Sequence, residues 1–427
     1  MTPHITTCGI DFGTSNSAVC LARENTTEMV RLEGASTNIP SAIFFDTEEH
    51  TVTYGQRGID AFTAGQDGRL MRSLKSILGT ELMHEKTQIG MRHVSFEDIL
   101  TRFIKHLKEK AEAQAAQEIP SVVMGRPVHF VDDDSDADKR AQNKLREVAQ
   151  KAGFRDVTFQ FEPIAAALAY EASTSKDELA LIADIGGGTS DFSVIKVGPG
   201  YRKKADRQQD ILANTGVRVG GTNLDTHLSV NGMMPHLGMA SETVDKLSGG
   251  RRTPLPRRLF LDLATWHKIH LLYTLKNERF IEQLAREVDD NGEFNRYVEI
   301  IQTQKGHMLA GRVEAAKICL SDQEQTKLNL SEIINQNDLE IPLHKKIFEQ
   351  SINEEMLKIT NAVNLCLKQA GVHRDDITAI FLTGGSTAVP LVKAAICANL
   401  PEGNIISGDK FNSVGHGLGI EAGRVFG

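Results

Sequence analysis

Two aspartates, Asp184 and Asp191, flank three consecutive glycines in the segment LIADIGGGTSDFSVIKV, residues 181 to 197. The residue types suit a phosphate loop, but their order does not. A P-loop needs a strand, then GxxxxGK[ST], then a helix, whereas here the glycines lead into alternating residues. Asp191, Ser193 and Ile195 fall on one face and Phe192, Val194 and Lys196 on the other, the period of a strand. The segment is therefore a hairpin. A diverged copy stands near the start, GIDFGTSNSAVCL at 9 to 21, where an apolar strand ends in Asp11, a small-residue turn follows and a second apolar strand leaves. A third candidate is ITAIFLTGGSTAVPLVKAAICANL, 377 to 400, a strand, a Gly-Gly-Ser turn and a helix. A helix N-terminus at such a turn offers unpaired N–H groups to a ligand.

Other chemistry-bearing clusters read as structure. The run DDDSDAD at 132 to 138 is not an EF-hand, because a loop begun at Asp132 or Asp134 would put Ala137 or Lys139 where glycine is needed and no Glu at its twelfth position. It reads instead as an acidic helix start before Lys139 to Ala152, with charges that offset the N-terminal dipole. His267 and His270 share a helical face without a third ligand in view, and Arg251, Arg252, Arg257 and Arg258 read as a solvated basic loop in SGGRRTPLPRR. Trp266 reads as a core residue.

The elements that must carry the turns follow from pattern. Placing Asp11 on Asp184 separates the two copies by far more than the period of a solenoid repeat, so the unit repeated is a whole domain. Residues 97 to 117 are helical, 121 to 130 a strand, and FEPIAAALAYEA at 161 to 172 a short helix after the Pro163 start. VGGTNLDTHL, 219 to 228, opens another helix, and 233 to 322 is mostly helical.

With 427 residues, 40% of them hydrophobic, and a formal net charge of −8, the chain is expected to fold into two or more compact cores. Mild acidity weighs against a general nucleic-acid binder. The absence of a long apolar run weighs against a membrane span. Cys8, Cys20, Cys319, Cys366 and Cys397 form a scattered set without a CxxC, so buried, reduced thiols and a cytoplasmic location are expected.

The order of these motifs is more specific than any of them alone. Hairpin one with Asp11, an EPxAAALAY helix, DxGGGTxD, VGGxxxD, an ExxKxxLS helix and a late GGSTxxP turn together resemble the ATPase domain of the DnaK-type heat-shock chaperones, from about residue 8 to 425. Within that superfamily the chain is most similar to the short YegD-type members, which lack the peptide-binding domain. The resemblance implies an α/β, actin-like ATPase fold of two pseudo-symmetric lobes, each with a mixed sheet, helices and a smaller subdomain. Lobe I would take 1–177 and 405–427, with a subdomain at about 38–117. Lobe II would take 178–404, with a helical subdomain at about 233–323.

The same resemblance implies ATP or ADP with Mg2+. Gly13, Gly186, Gly187 and Gly188 would bring backbone N–H groups to the phosphates from opposite sides, with hydroxyls from Thr14, Ser15 and Thr189. Gly220 and Gly221 belong to the VGG turn of that site. Asp11 and Asp184 would hold the metal through water, with turn capping as their alternative role. Lys75 in SLKSILG matches the lysine that reaches the γ-phosphate, and Glu162 the carboxylate that orients the attacking water. Gly384, Gly385 and Ser386 would line the base pocket. Glu314, Lys317 and Ser321, spaced i, i+3 and i+7 on one helical face, would reach the ribose and ring. Ala165, Ala166 and Ala167 against Gly415, Gly417 and Gly419 would let two helices approach closely at a hinge.

Two departures stand out: Ala388 and Ile318 occupy positions where the family carries arginines that stack on adenine, which predicts weaker or shifted base binding. The expected activity is slow ATP hydrolysis in a monomeric, chaperone-like protein that acts on a client or co-chaperone. A nucleotide-regulated interaction module and a sugar-type kinase of the same fold are the alternative classes, with filament formation the least supported.

Overall fold

The computed structural model describes residues 7–23, 26–78, 83, 85–131, 134–171, 174–201, 204, 207–245, 250–289, 292–336, 338–398, 400, 405–407 and 412–427. Contact density divides the chain into two units. The first comprises 1–220, 358–387 and 392–427, and the second 221–357 and 388–391. This grouping puts both large sheets in one unit.

The first unit contains the same order of five strands twice, in a six-stranded and a five-stranded sheet. Strands β1 (Thr7–Phe12), β2 (Asn16–Arg23), β3 (Thr26–Met29), β4 (Ser121–Arg126) and β5 (Asp156–Phe161) line up in the order β5-β4-β1-β2-β3, with the short strand Asn38–Pro40 also paired to β2. Strands β6 (Glu178–Ile185), β7 (Ser190–Val197), β8 (Ile211–Val217), β9 (Ala379–Thr383) and β10 (Ile405–Ser407) line up as β10-β9-β6-β7-β8. In each sheet the first three strands are antiparallel and the last two run parallel to the leading strand. This correspondence of order and direction is the domain-scale repeat read from Asp11 and Asp184. The leading strands sit centrally and bury both faces, which is why ELALIADI reads as a nearly continuous apolar run.

Two cores hold these sheets. One packs Ile99, Phe103, Ile104 and Leu107 of the helix Phe96–Ala115, with Leu145 and Val148 of the helix Ser135–Lys151, onto Cys8, Ile10, Val19 and Leu21. The other joins the two sheets. Val123 and Ala22 from the first and Ala180, Ile182 and Phe381 from the second meet across the helices Glu162–Glu171 and Ser413–Phe426. Small residues allow this. A Cβ on Gly417 would lie 1.7 Å from the Ala165 carbonyl oxygen, so glycine is required at that crossing. The expected Ala-against-Gly seam is narrower than read: the nearest atoms to Gly415 and Gly419 belong to Ala18 and Cys20 of β2.

A separate three-stranded sheet, Ala42–Asp46 between Val52–Tyr54 and Gly68–Arg72, carries the helix Gly55–Thr63. The helix Ser135–Lys151 starts where the acidic run predicts, with the Asp134 carboxylate accepting from the N–H groups of Asp136 and Ala137; residues 132 and 133 lie outside the described residues. The expected strand at 121–130 stops at Arg126, because Pro127 cannot donate a ladder hydrogen bond.

The second unit is mainly helical around Phe260, Phe294 and Tyr297, whose hydroxyl donates to the Leu259 carbonyl at 3.0 Å. The basic loop is a correction. Arg251–Pro254 is a strand paired antiparallel to Glu242–Asp245, and Arg257 and Arg258 begin the helix Arg257–Ala264. Cross-strand and ion-pair partners decide this, since Arg252 reaches Glu242 and Asp289. Trp266 is half-buried against His307 instead of lying in the core. Cys8, Cys20 and Cys366 are buried free thiols, whereas Cys319 is exposed. No described helix is long and apolar enough to cross a membrane.

Candidate functional site

Asp11 pairs with Ala18 across β1 and β2, and Gly13, Thr14 and Ser15 make the turn between the strands. Asp184 pairs with Asp191 across β6 and β7, and the Gly186 N–H closes the second turn on the Thr189 carbonyl at 2.9 Å. The two turns face each other in contact. A Cβ on Gly187 would lie 1.8 Å from Ser15 Oγ, and one on Gly188 would lie 3.7 Å from Thr14 Cγ2. Gly220 backs the second turn, its would-be Cβ 2.5 Å from the Gly187 carbonyl carbon. The late turn closes on the same place. Ser386 Oγ donates to the Gly186 carbonyl at 3.0 Å. Gly384 takes a φ of +84°, and a Cβ there would meet the Ile185 carbonyl at 2.3 Å and Asp184 Oδ1 at 2.7 Å. Gly385 opens the 3-10 turn Gly385–Ala388 that follows.

Lys75 enters on a 3-10 turn, Leu74–Ile77, reached through Ser73 in a left-handed conformation with φ 56° and ψ 36°. Such backbone is costly for a residue with a Cβ and concentrates at functional positions. Its ammonium donates to Glu162 Oε1, the first residue of the helix that follows β5, and both side chains are close to fully buried. Burial works against the charge on Lys75, but the carboxylates of Glu162, Asp11 and Asp184 overcome it and raise its pKa. Burial, then Glu162, pushes Asp11 from the ordinary 3.8 to about 7 in spite of Lys75. Asp184 is raised well above the same value by burial, then by Glu162, Asp11 and Asp191. One cation thus faces several carboxylates, an excess of buried negative charge that a divalent cation would relieve. Among the described residues no three His, Cys, Asp or Glu side chains gather into a cage for a metal ion.

The remaining predicted residues lie in the second unit. The helix Gly306–Asp322 carries Glu314 half-buried and Lys317 and Ser321 buried, all on the face the i, i+3, i+7 spacing requires. Lys317 pairs with Asp225 at 2.8 Å and reaches the Gly221 carbonyl at 3.4 Å, fastening this helix to Gly221–Leu228. Ser321 Oγ donates to the Lys317 carbonyl at 3.3 Å.

The family model described as Hsp70 protein matches residues 7–230 and 278–404. The chain belongs to the Hsp70 family. Hsp70 proteins are nucleotide-binding, chaperone-type ATPases that normally take ATP or ADP with Mg2+, and the mixed sheets and helices fit the α/β, actin-like fold. Ile318 stands 61% exposed on the helix that carries Lys317.

Two residues have partners that the sequence did not indicate. Asp191, read only as a turn residue, accepts from Thr189 Oγ1 at 2.9 Å and adds to the charge that raises Asp184. Its pairing opposite Asp184 in the hairpin register was the available signal. Asp225 was visible as the last position of VGGxxxD, but nothing local indicated that its partner would be Lys317.

Proposed function

We propose that this chain binds Mg-ATP with its phosphates between the turns at Gly13–Ser15 and Gly186–Thr189 and hydrolyses it slowly. The contact of Gly187 with Ser15 beside the buried Lys75–Glu162 pair carries this reading. It juxtaposes two rows of backbone donors with one ammonium and several carboxylates, the parts that phosphoryl transfer to water uses. Lys75 neutralises charge building on the transferred group. Glu162 and Asp184 accept hydrogen bonds from the attacking water and orient it, and Thr189 and Thr14 donate to phosphate oxygens. Asp11 and Asp184 would hold a magnesium ion, which would supply charge neutralisation at the phosphates. Gly384 to Ser386, which close on Asp184 and Gly186, line the base pocket.

In this reading lobes 1–177 with 405–427 and 178–404 open and close about the nucleotide, and the output is remodelling of a client or co-chaperone protein by a monomer in the cytoplasm. Magnesium-dependent phosphate release by the purified protein, strongly diminished in Lys75→Ala, is the expected result. Absence of both nucleotide binding and release overturns it.

The exposed Ile318, with Ala388, favours a second reading: a nucleotide-regulated interaction module with little turnover. Stacked arginines contribute roughly 0.5–2 kcal/mol each, so their replacement weakens base binding without removing the phosphate site. Nucleotide binding without measurable release selects this reading.

A further inference from the structure

Ser41 stands between the strands Asn38–Pro40 and Ala42–Asp46, is 1% exposed, and gives two hydrogen bonds to the turn after β1. Its hydroxyl donates to the Gly13 carbonyl at 2.7 Å and its backbone N–H to the Ser15 carbonyl at 2.8 Å. We propose that Ser41 is a positioning residue for the phosphates, holding two carbonyls of this turn to one side so that its N–H groups are aimed before the nucleotide arrives. The proposal rests on the nucleotide reading of the site given above.

Sheet pairing alone does not account for these contacts. Pro40 stands opposite Asn16 where the short strand meets β2, and it has no N–H to offer, so the ladder stops where the turn begins. Ser41 supplies the next donor from its backbone and a further one from its side chain. The direction of that side-chain bond is fixed as well. Ser17 Oγ, also 1% exposed, lies 2.8 Å from Ser41 Oγ, and because the Ser41 proton is committed to Gly13, Ser17 is the donor. The chain from Ser17 through Ser41 to Gly13 runs one way, and each bond polarises the next.

Peptide geometry gives the consequence. In a trans peptide a carbonyl and the N–H of the next residue point in opposite directions. With the Gly13 carbonyl held toward Ser41, the Thr14 N–H points away from it. Donors fixed in advance need no reorganisation when charge arrives, whereas a carbonyl swung to the same side would set its negative end against a phosphate.

The repeat supplies a second, independent observation. Gly13 and Gly186 each follow the leading aspartate, Asp11 or Asp184, by two residues. The Gly186 carbonyl also accepts from the hydroxyl of a buried serine distant in the chain, Ser386, at 3.0 Å. One serine precedes a strand of the small sheet and the other lies on the 3-10 turn after β9, so they are not copies of one duplicated contact. What recurs is the restraint on the carbonyl.

ATP affinity, single-turnover phosphate release and amide order parameters of Thr14 and Ser15 in the nucleotide-free protein are compared in Ser41→Ala, Ser41→Cys and Thr7→Val. Thr7 is the structural control, because it is as buried as Ser41, lies on β1 away from the turn and donates to the Ser121 carbonyl at 3.1 Å. Ser41→Ala is expected to weaken ATP binding by about tenfold, to slow release by about tenfold or more, and to lower both order parameters. Ser41→Cys keeps a donor of similar size but weaker strength and falls between, and it carries the comparison should Ser41→Ala not fold. Thr7→Val loses stability and changes none of the three. Affinity and release unchanged in Ser41→Ala, or lost equally in Thr7→Val, overturn the proposal while the nucleotide reading stands. Absence of ATP binding by the unaltered protein overturns that reading instead, and unchanged order parameters then overturn the hold of Ser41 on the turn as well.

Discussion

Lys75 donates to Glu162 although 87 positions separate them in the chain, one on a 3-10 turn beside a small sheet and the other at the head of a buried helix. The pair places a cation among carboxylates in the first unit and ties the two residues most directly expected to act on the terminal phosphate and the water. Lys75→Ala is expected to lower single-turnover phosphate release by about a hundredfold to ten-thousandfold with a smaller change in nucleotide affinity. Lys75→Arg restores little, since a planar guanidinium does not replace a compact ammonium at this buried position. Retention of full activity in Lys75→Ala would remove Lys75 from the reaction.

Asp11 determines a pH dependence. Its carboxyl holds its proton up to about 7 when folded but only to the ordinary 3.8 when unfolded, so the folded state binds more protons between those values. Stability of the nucleotide-free protein contributed by this group therefore falls as pH rises from about 4 to about 7 and is level outside that window. Asp184, also raised, acts in the same direction. Asp11→Asn removes the effect, and its melting temperature relative to the unaltered protein climbs across that window. A constant difference from pH 4 to 7 would refute the assignment. Magnesium binding competes with the same proton, so its affinity rises with pH over the same range.

Gly417 and Gly311 are both helical glycines with opposite surroundings. A Cβ on Gly417 meets the Ala165 carbonyl oxygen at 1.7 Å, whereas nothing lies within 4 Å of one on Gly311. Gly417→Ala is expected to destabilise by about 1–3 kcal/mol or more, because backbone must move. Gly311→Ala should stabilise by about 0.5–1 kcal/mol through helix propensity alone. Urea midpoints of the two variants check both signs.

Arg207 and its partners form a buried ionic cluster, with Arg207, Glu171 and Asp210 at 4%, 1% and 3% exposure. Arg207→Ala strands Glu171 without its bidentate partner and is expected to cost about 3–5 kcal/mol. Replacing Arg207 and Glu171 together by apolar residues of similar volume should cost much less. The two denaturation curves separate a charge left unpaired from a pair that was itself stabilising.

The sequence by itself determined what depends on a short window. Glycine turns between alternating apolar runs specify hairpins, the acidic run around Asp134 specifies a helix start by capping the N–H groups beyond it, and the ordered motifs specify the family. The repeat of a whole sheet was also legible, because two windows with Asp11 and Asp184 could be compared directly. Tertiary structure alone decided the partners. That Gly187 meets Ser15, that Lys317 pairs with Asp225, that Gly417 but not Gly415 or Gly419 faces Ala165, and that Arg251–Pro254 becomes a strand all depend on segments distant in the chain. The hold of Ser41 on Gly13 and Ser15 belongs to the same class. Periodicity and turn chemistry encode local backbone geometry. Which side chains end up within hydrogen-bond reach is set by how the sheets and helices pack, and that information is distributed over the whole chain.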